Sequence, residues 1–392
     1  MIVIKTQEKF KELLDNEDDS FCLYGCGYVA EKIMYTMKQM YGSMSKIEKI
    51  YVSKKNELQT EINGIRIEQY KPSSRKKNII IATGKKNASE IAEFVKGDGH
   101  ILYWIDPSIL SENGIYEEVF KSVQPFVMHF LENKERETEA ARESNVEIVY
   151  AWSCWWQGEE QAPDIVKMCF ESHRRFLPQN VNYIIVTSDN YQQYIDVPDF
   201  IINKVSDGSI TFTTFSDILR EMLLYKYGGI WFDATVYLHN DFPKQYFELN
   251  LYTCKGEKYH FKSFSEWSLW CMGGKAGNIF YKFLYEAFFY YYTKHDKIKY
   301  YLTVDYFIAI AMKYLDGVEQ DYNAIPYNNE KADVLADYLS QKYEVKLFET
   351  LINNCDLSKL SYKIYDGRYG EAFKGFDSQS IYCHLQKSFL EK

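Results

Sequence analysis

One stretch constrains this chain more than any other: TFTTFSDILREMLLYKYGGIWFDATVYL. Its first half has helical spacing, with Ile218, Met222 and Tyr225 on one side at i, i+4 and i+7. Asp217 and Arg220 are three apart, so they share a face where an acid and a guanidinium can both point into a cleft. Gly228 and Gly229 end the helix, as glycine does where a helix needs a C-cap. Ile230, Trp231 and Phe232 then form a short apolar strand that delivers Asp233 at its end. A carboxylate at the C-terminal end of a central strand is where open α/β sheets bind ligands and divalent metals.

The rest of the chain reads as α/β as well. Its 392 residues suggest two domains. Near the start, FCLYGCG, IEKIYVS, IRIEQY, NIIIAT and ILYWID read as strands, with YVAEKIMYTMKQM and ASEIAEFVKG as helices between them. That alternation implies a parallel sheet, placed in a first domain over residues 1–124. Residues 125–146, from Pro125 to Asn145 and just beyond, carry LENKERETEAARES and read as a charged, solvated connecting helix. A second α/β domain over 147–392 opens with VEIVYAWSCWW.

Gly25, Gly27 and Ala30 form G-x-G-x-x-A between a strand and a helix, the context of a phosphate-binding Rossmann loop. The following strand ends at Val52 and Ser53 with no acid to hold a ribose, so a Rossmann-like domain without a dinucleotide is expected. An NAD-dependent sugar-modifying enzyme working through this loop is the alternative. The basic stretch from Lys71 to Lys86 is read as a solvated face, a membrane contact being the other option.

A net charge of −9 excludes a general nucleic-acid binder. The eight cysteines are scattered singly without metal-ligand spacing. No run approaches the roughly 18 apolar residues of a membrane span, and the opening MIVIKTQEKF has no secretory core. The expected location is cytoplasmic, with the inner membrane face as an option. There an aromatic and basic stretch, FFYYYTKHDKIKYY, would touch lipid.

The run SDILR…LLYKYGGIWFDATV resembles the capsular-polysaccharide-synthesis glycosyltransferases, relatives of the fungal initiating mannosyltransferases and of the glucosylating domains of large clostridial toxins. The opening segment IVYAWSCWWQGEEQAPDIVKMCFESHRRFLP and the strand YIIVTSD fit the same family, so the likeness spans about residues 147–330. It implies a GT-A fold, a nucleotide-sugar donor, a divalent cation (Mn²⁺ first, Mg²⁺ second) and retention of anomeric configuration. Asp217 and Arg220 would bond the donor sugar, and Asp233 would open a D-x-D motif. Trp152, Trp155 or Trp156 would stack on the base, the sequence not choosing among them, with one or two of the three expected in the core.

The motif departs from the family at Thr235, where a second acid is usual. Metal would then be held by Asp233, Thr235 and the diphosphate, with His384 from the tail as a further ligand. Asp305 in VDYF would face the acceptor or the anomeric carbon, or else cap its helix. His260, Trp267 and Trp270 lie where the acceptor side of such folds is built, with core packing as the default reading and stacking on a sugar as the alternative. The expected reaction transfers a hexose, from UDP-galactose or UDP-glucose, to a saccharide or lipid-linked oligosaccharide of a bacterial capsule or exopolysaccharide. A non-catalytic scaffold with a degenerate fold is the third reading, prompted by Thr235.

Overall fold

The computed structural model describes all residues except 16–19, 54–59, 73–74, 111–112, 141–147, 256–263, 363–376 and 390–392. Two compact units emerge. The first comprises Met1–Lys121 with Ile298–Thr303 and Gly367–Phe373, and the second comprises the remainder. Of these, 367–373 lie outside the described residues.

The first unit is Rossmann-like. Its elements run β1 (Ile2–Ile4), α1 (Gln7–Asp15), β2 (Phe21–Tyr24), α2 (Tyr28–Tyr41), β3 (Ile47–Val52), β4 (Glu61–Ile62), β5 (Ile65–Gln69), β6 (Asn78–Ile81), α3 (Lys85–Val95) and β7 (Ile101–Ile105). The sheet order is β1-β7-β6-β2-β3-β5-β4, parallel except for the β4–β5 hairpin. Strand β2 lies between β3 and β6, so the chain reverses direction across the sheet just beyond Tyr24, the position where such sheets bind ligands. Both faces of β2 are buried, which explains the unbroken apolar run where an exposed strand would alternate. Strands β1 and β4, only three and two residues long, were not evident in the sequence.

Helix α4 (Asn113–Ala140) begins well before Pro125, which lies inside it. Inside a helix proline removes one backbone hydrogen bond and crowds the preceding turn, a local cost that the rest of this long helix carries. The expected charged connector is therefore the end of a longer helix, and 141–146 of it fall outside the described residues. Phe126 and Phe130 on α4 are buried against Phe283, with ring centroids 5.3 and 5.2 Å apart.

In the second unit the order is β8 (Val149–Cys154), α5 (Asp164–Phe176), β9 (Val181–Val186), α6 (Asp199–Ser206), α7 (Phe212–Tyr227), β10 (Gly229–Phe232), β11 (Val236–Leu238), β12 (Leu251–Thr253), β13 (Cys271–Gly274), α8 (Ile279–Lys294), α9 (Thr303–Tyr314), α10 (Val318–Ala324), α11 (Val345–Ile352), β14 (Leu357–Lys359) and α12 (Ile381–Phe389). The main sheet is ordered β12-β13-β10-β8-β9, with β9, β8 and β10 parallel and β13 antiparallel to β10. Strands β11 and β14 form a separate antiparallel pair. The chain is thus α/β throughout.

The aromatic and basic stretch expected to touch lipid divides: Phe288, Tyr291, Tyr292 and Tyr300 are buried, whereas residues 293–297, Lys299 and Tyr301 are exposed. Phe280, Tyr281, Phe283, Phe288, Tyr291 and Tyr292 of α8 are all buried. No helix among the described residues is long and apolar enough to cross a membrane.

Candidate active site

Helix α7 starts where Thr211 caps it, its hydroxyl accepting from Thr214 N–H at 3.2 Å. Its buried side is broader than the sequence implied: Phe215, Ile218, Leu219, Leu223 and Leu224 are enclosed, whereas Met222 and Tyr225 are half-buried. Gly228 ends the helix with φ 65°, and Gly229 follows with φ 90°. A Cβ on Gly229 would lie 2.0 Å from the Tyr150 carbonyl oxygen. Only glycine lets β10 run this close to β8, and this approach aims the strand at Asp233.

Asp233 lies between two cations. Lys359 Nζ is 2.8 Å from Asp233 Oδ2, and Arg220 Nη1 is 3.9 Å from Oδ1. The Trp231 indole N–H donates to Oδ1 at 3.0 Å. The Asp233 backbone N–H donates to the Trp270 carbonyl at 2.8 Å. Burial pushes this carboxyl's pKa upward, but the Lys359 ammonium and the Arg220 guanidinium outweigh it and hold the group below the usual carboxylate range.

Arg220 is enclosed, with 2% of its side chain exposed. It donates to Asp217 Oδ1 at 2.9 Å and to Glu221 Oε1 at 3.4 Å. Burial raises Asp217 to about 6 despite the guanidinium beside it. Burial lifts Glu221 to about 8, so it is mostly protonated at neutral pH. Arg220 is therefore shared mainly between Asp217 and Asp233. The expectation that Arg220 itself reaches the sugar does not fit an enclosed side chain. Asp217 and Asp233, 21% and 35% exposed, are the groups a ligand can touch.

Lys359 is the site residue that the sequence did not reveal. It ends β14, whose pairing with β11 sets Val236 opposite Lys359. Its ammonium also donates to Thr235 Oγ1 at 2.9 Å. A weak signal was present, a basic residue closing the short LSK strand, but nothing local ties it to a motif 126 residues earlier.

The other expected site residues are scattered. Trp152 is fully buried, stacked on Tyr150 with centroids 4.9 Å apart, and its N–H donates to the Gly228 carbonyl at 3.0 Å. It is a core strut and presents no face to a base. Trp155 is half-buried edge-on to Tyr362, and Trp156 packs among Tyr191, Phe212 and Phe215 in the loop after β8. These two follow the strand neighbouring β10 and remain the stacking candidates. Asp305 is fully buried in the first turn of α9, where it accepts the backbone N–H groups of Phe264 at 2.6 Å and Ser265 at 3.1 Å. It braces a loop, so the acceptor-facing expectation is not met. Trp267 is buried on Phe280, whereas Trp270 is half-buried beside Asp233. His260 lies outside the described residues. Cys154 ends β8, but burial and then the Asp233 charge push its thiol up to about 12, which removes it as a nucleophile.

His384 stacks flat on Tyr343 with centroids 3.5 Å apart, on α12. The structure does not gather it with Asp233 and Thr235, and no group of three or more His, Cys, Asp or Glu side chains suited to a metal occurs among the described residues. The oxygens expected to ligate a cation, on Asp233 and Thr235, already share one ammonium. A divalent ion there would displace Lys359 and face both it and Arg220, a repulsion of several kcal/mol at close range. The residues present do not fit the expected Mn²⁺.

A profile of the capsular polysaccharide synthesis protein family matches residues 104–374, more than half of the chain and beyond the 147–330 expected from motifs. The chain belongs to that family, and its class is glycosyltransferase. Among solved structures it is similar to the PaToxG glycosyltransferase, at 13% identity and a TM-score of 0.30, covering 53% of this chain and 83% of that one. No curated protein matches.

Proposed function

We propose that the chain transfers a hexose from a nucleotide sugar, UDP-galactose or UDP-glucose first, to a saccharide or lipid-linked oligosaccharide of a capsule or exopolysaccharide, with retention of configuration. The observation that supports this is the convergence of Asp217, Arg220, Asp233 and Lys359 beyond the end of β10. In the reaction the bond from C1 to the phosphate oxygen breaks, its electron pair going to the diphosphate. The acceptor oxygen bonds C1, and its proton leaves with the diphosphate. The partly exposed acids Asp217 and Asp233 would bind donor hydroxyls and offset positive charge growing at C1. Arg220 acts as a positioning group, fixing the two acids relative to each other. Trp155 or Trp156 would cover the base, and Trp270 would flank the acceptor. The division into residues 1–124, 125–146 and 147–392 remains our reading of the domains, with catalysis in the last.

The test is a panel of nucleotide sugars added to the purified chain, read by thermal shift and by release of nucleoside diphosphate. One sugar should stabilise the protein and be slowly hydrolysed. A panel without any effect would move the scaffold reading to the front.

A further inference from the structure

The donor set around Asp233 carries a consequence for how the leaving group is held. We propose that Lys359 stands where a divalent cation was expected, so that its ammonium binds the donor diphosphate and transfer proceeds without metal. The proposal rests on the nucleotide-sugar reading above.

Three features support it. Lys359 is held by a sheet: besides the β11–β14 register, its own N–H donates to the Ala332 carbonyl at 2.7 Å and the Leu360 N–H donates to the Thr235 carbonyl at 2.8 Å. The ammonium is therefore preorganised, as electrostatic stabilisation of a departing group requires. Next, the ammonium has three N–H groups. Among the described residues Asp233 and Thr235 take two, at 2.8 and 2.9 Å, and the side chain is still 23% exposed. Finally, Thr235 fits this partner. Its neutral hydroxyl is a poor ligand for a hard cation but a good acceptor for an ammonium. An aspartate there would instead surround Lys359 with two carboxylates and cancel the positive field the diphosphate needs. The neutral hydroxyl of Thr235 and the ammonium of Lys359 thus suit each other. As the C1–oxygen bond breaks, the charge gained by the diphosphate meets a fixed ammonium already aligned with Asp233.

The experiment titrates the full chain calorimetrically with UDP, GDP and ADP, in EDTA and in Mn²⁺, together with the matching nucleosides. The best-binding diphosphate should keep its affinity in EDTA to within about tenfold of that in Mn²⁺. Lys359→Met should weaken that diphosphate by at least about tenfold while leaving the nucleoside unchanged, and Lys359→Arg should recover part of the loss. A merely structural lysine would affect both ligands alike. The proposal is overturned if wild-type binding needs Mn²⁺, a result that does not depend on how any variant folds. It is equally overturned if Lys359→Met binds the diphosphate as wild type does. If no nucleotide or nucleotide sugar binds in either buffer, the functional reading itself fails and this proposal falls with it.

Discussion

Each unit of the molecule turns on glycines at the end of a parallel strand or the start of one, yet among the described residues only the second gathers opposed charges there. In the first unit Gly25 adopts φ 115°, and a Cβ on it would lie 2.8 Å from the Ala82 carbonyl oxygen. Gly27 precedes α2 in extended conformation, with nothing within 4 Å of its missing Cβ. Strand β3 ends at Val52 without an acid there or at Ser53, and the Ser53 hydroxyl is 3.1 Å from that of Tyr24. In the second unit Gly228 and Gly229 serve a still tighter approach, but the strand they start leads to Asp233 between Arg220 and Lys359. Positive φ and close backbones are thus scaffold properties. A site is signalled by opposed charges converging at the strand end.

The contrast can be broken most forcefully at Asp233. Asp233→Asn should cut transfer by about a thousandfold while moving the melting temperature by only a few degrees, because the carboxylate faces the cleft. Normal turnover with an unchanged melting curve would return the second unit to the status of the first. Gly229→Ala should cost about 3 kcal/mol or more of stability, since a carbonyl oxygen stands 2.0 Å from the new methyl. Gly25→Ala, less tightly enclosed, should cost about 1–2 kcal/mol. Denaturant titration ranks the two, and a reversed order would refute the packing argument.

Buried acids sharpen the comparison next. Glu31 on α2 accepts the Tyr301 N–H at 2.8 Å and is raised by burial to about 7 from 4.5. Its stabilising contribution is therefore complete below pH 4.5 and lost as pH rises through 7. Glu31→Gln should be more stable than wild type above that window, by on the order of 2 kcal/mol, and equal to it at low pH. The second unit's Asp217, raised to about 6, should appear instead as an acid limb of kcat/KM near that pH, where its carboxylate gains a proton. Gly27→Ala should have the smallest effect, within about 0.5 kcal/mol of wild type and without change in transfer. A large loss of transfer there would mean that the first unit's loop does hold a ligand.

How far this could be read from the sequence depended on distance along the chain. Helix α7, its glycine stop, strand β10 and Asp233 fall within one continuous segment, and their order alone placed them. Lys359 was hidden because the β11–β14 pair that delivers it joins residues more than a hundred apart through a three-residue strand. Trp152 misled for another reason: β8 is covered on both faces, so alternation could not separate an inward tryptophan from one in a loop. In the stretch around the end of α8 the charges cluster after Lys294 in an exposed segment, while Phe288, Tyr291, Tyr292 and Tyr300 are buried and Tyr301 is exposed. Asp305 had the residue type of a catalytic acid and the position of a helix cap, and burial decided for bracing.

The span between Asp233 and Lys359 also sets a schedule for the living cell. A ribosome adding about 5–20 residues per second needs roughly 6 to 25 seconds to cover those 126 residues. Through that interval the nascent chain already holds Asp217, Arg220 and Asp233 but not the lysine that completes the charge balance. A partly synthesised chain therefore carries the three residues of α7 and β10 before their partner at the end of β14 exists, and the full charge cluster can form only after translation has passed β14.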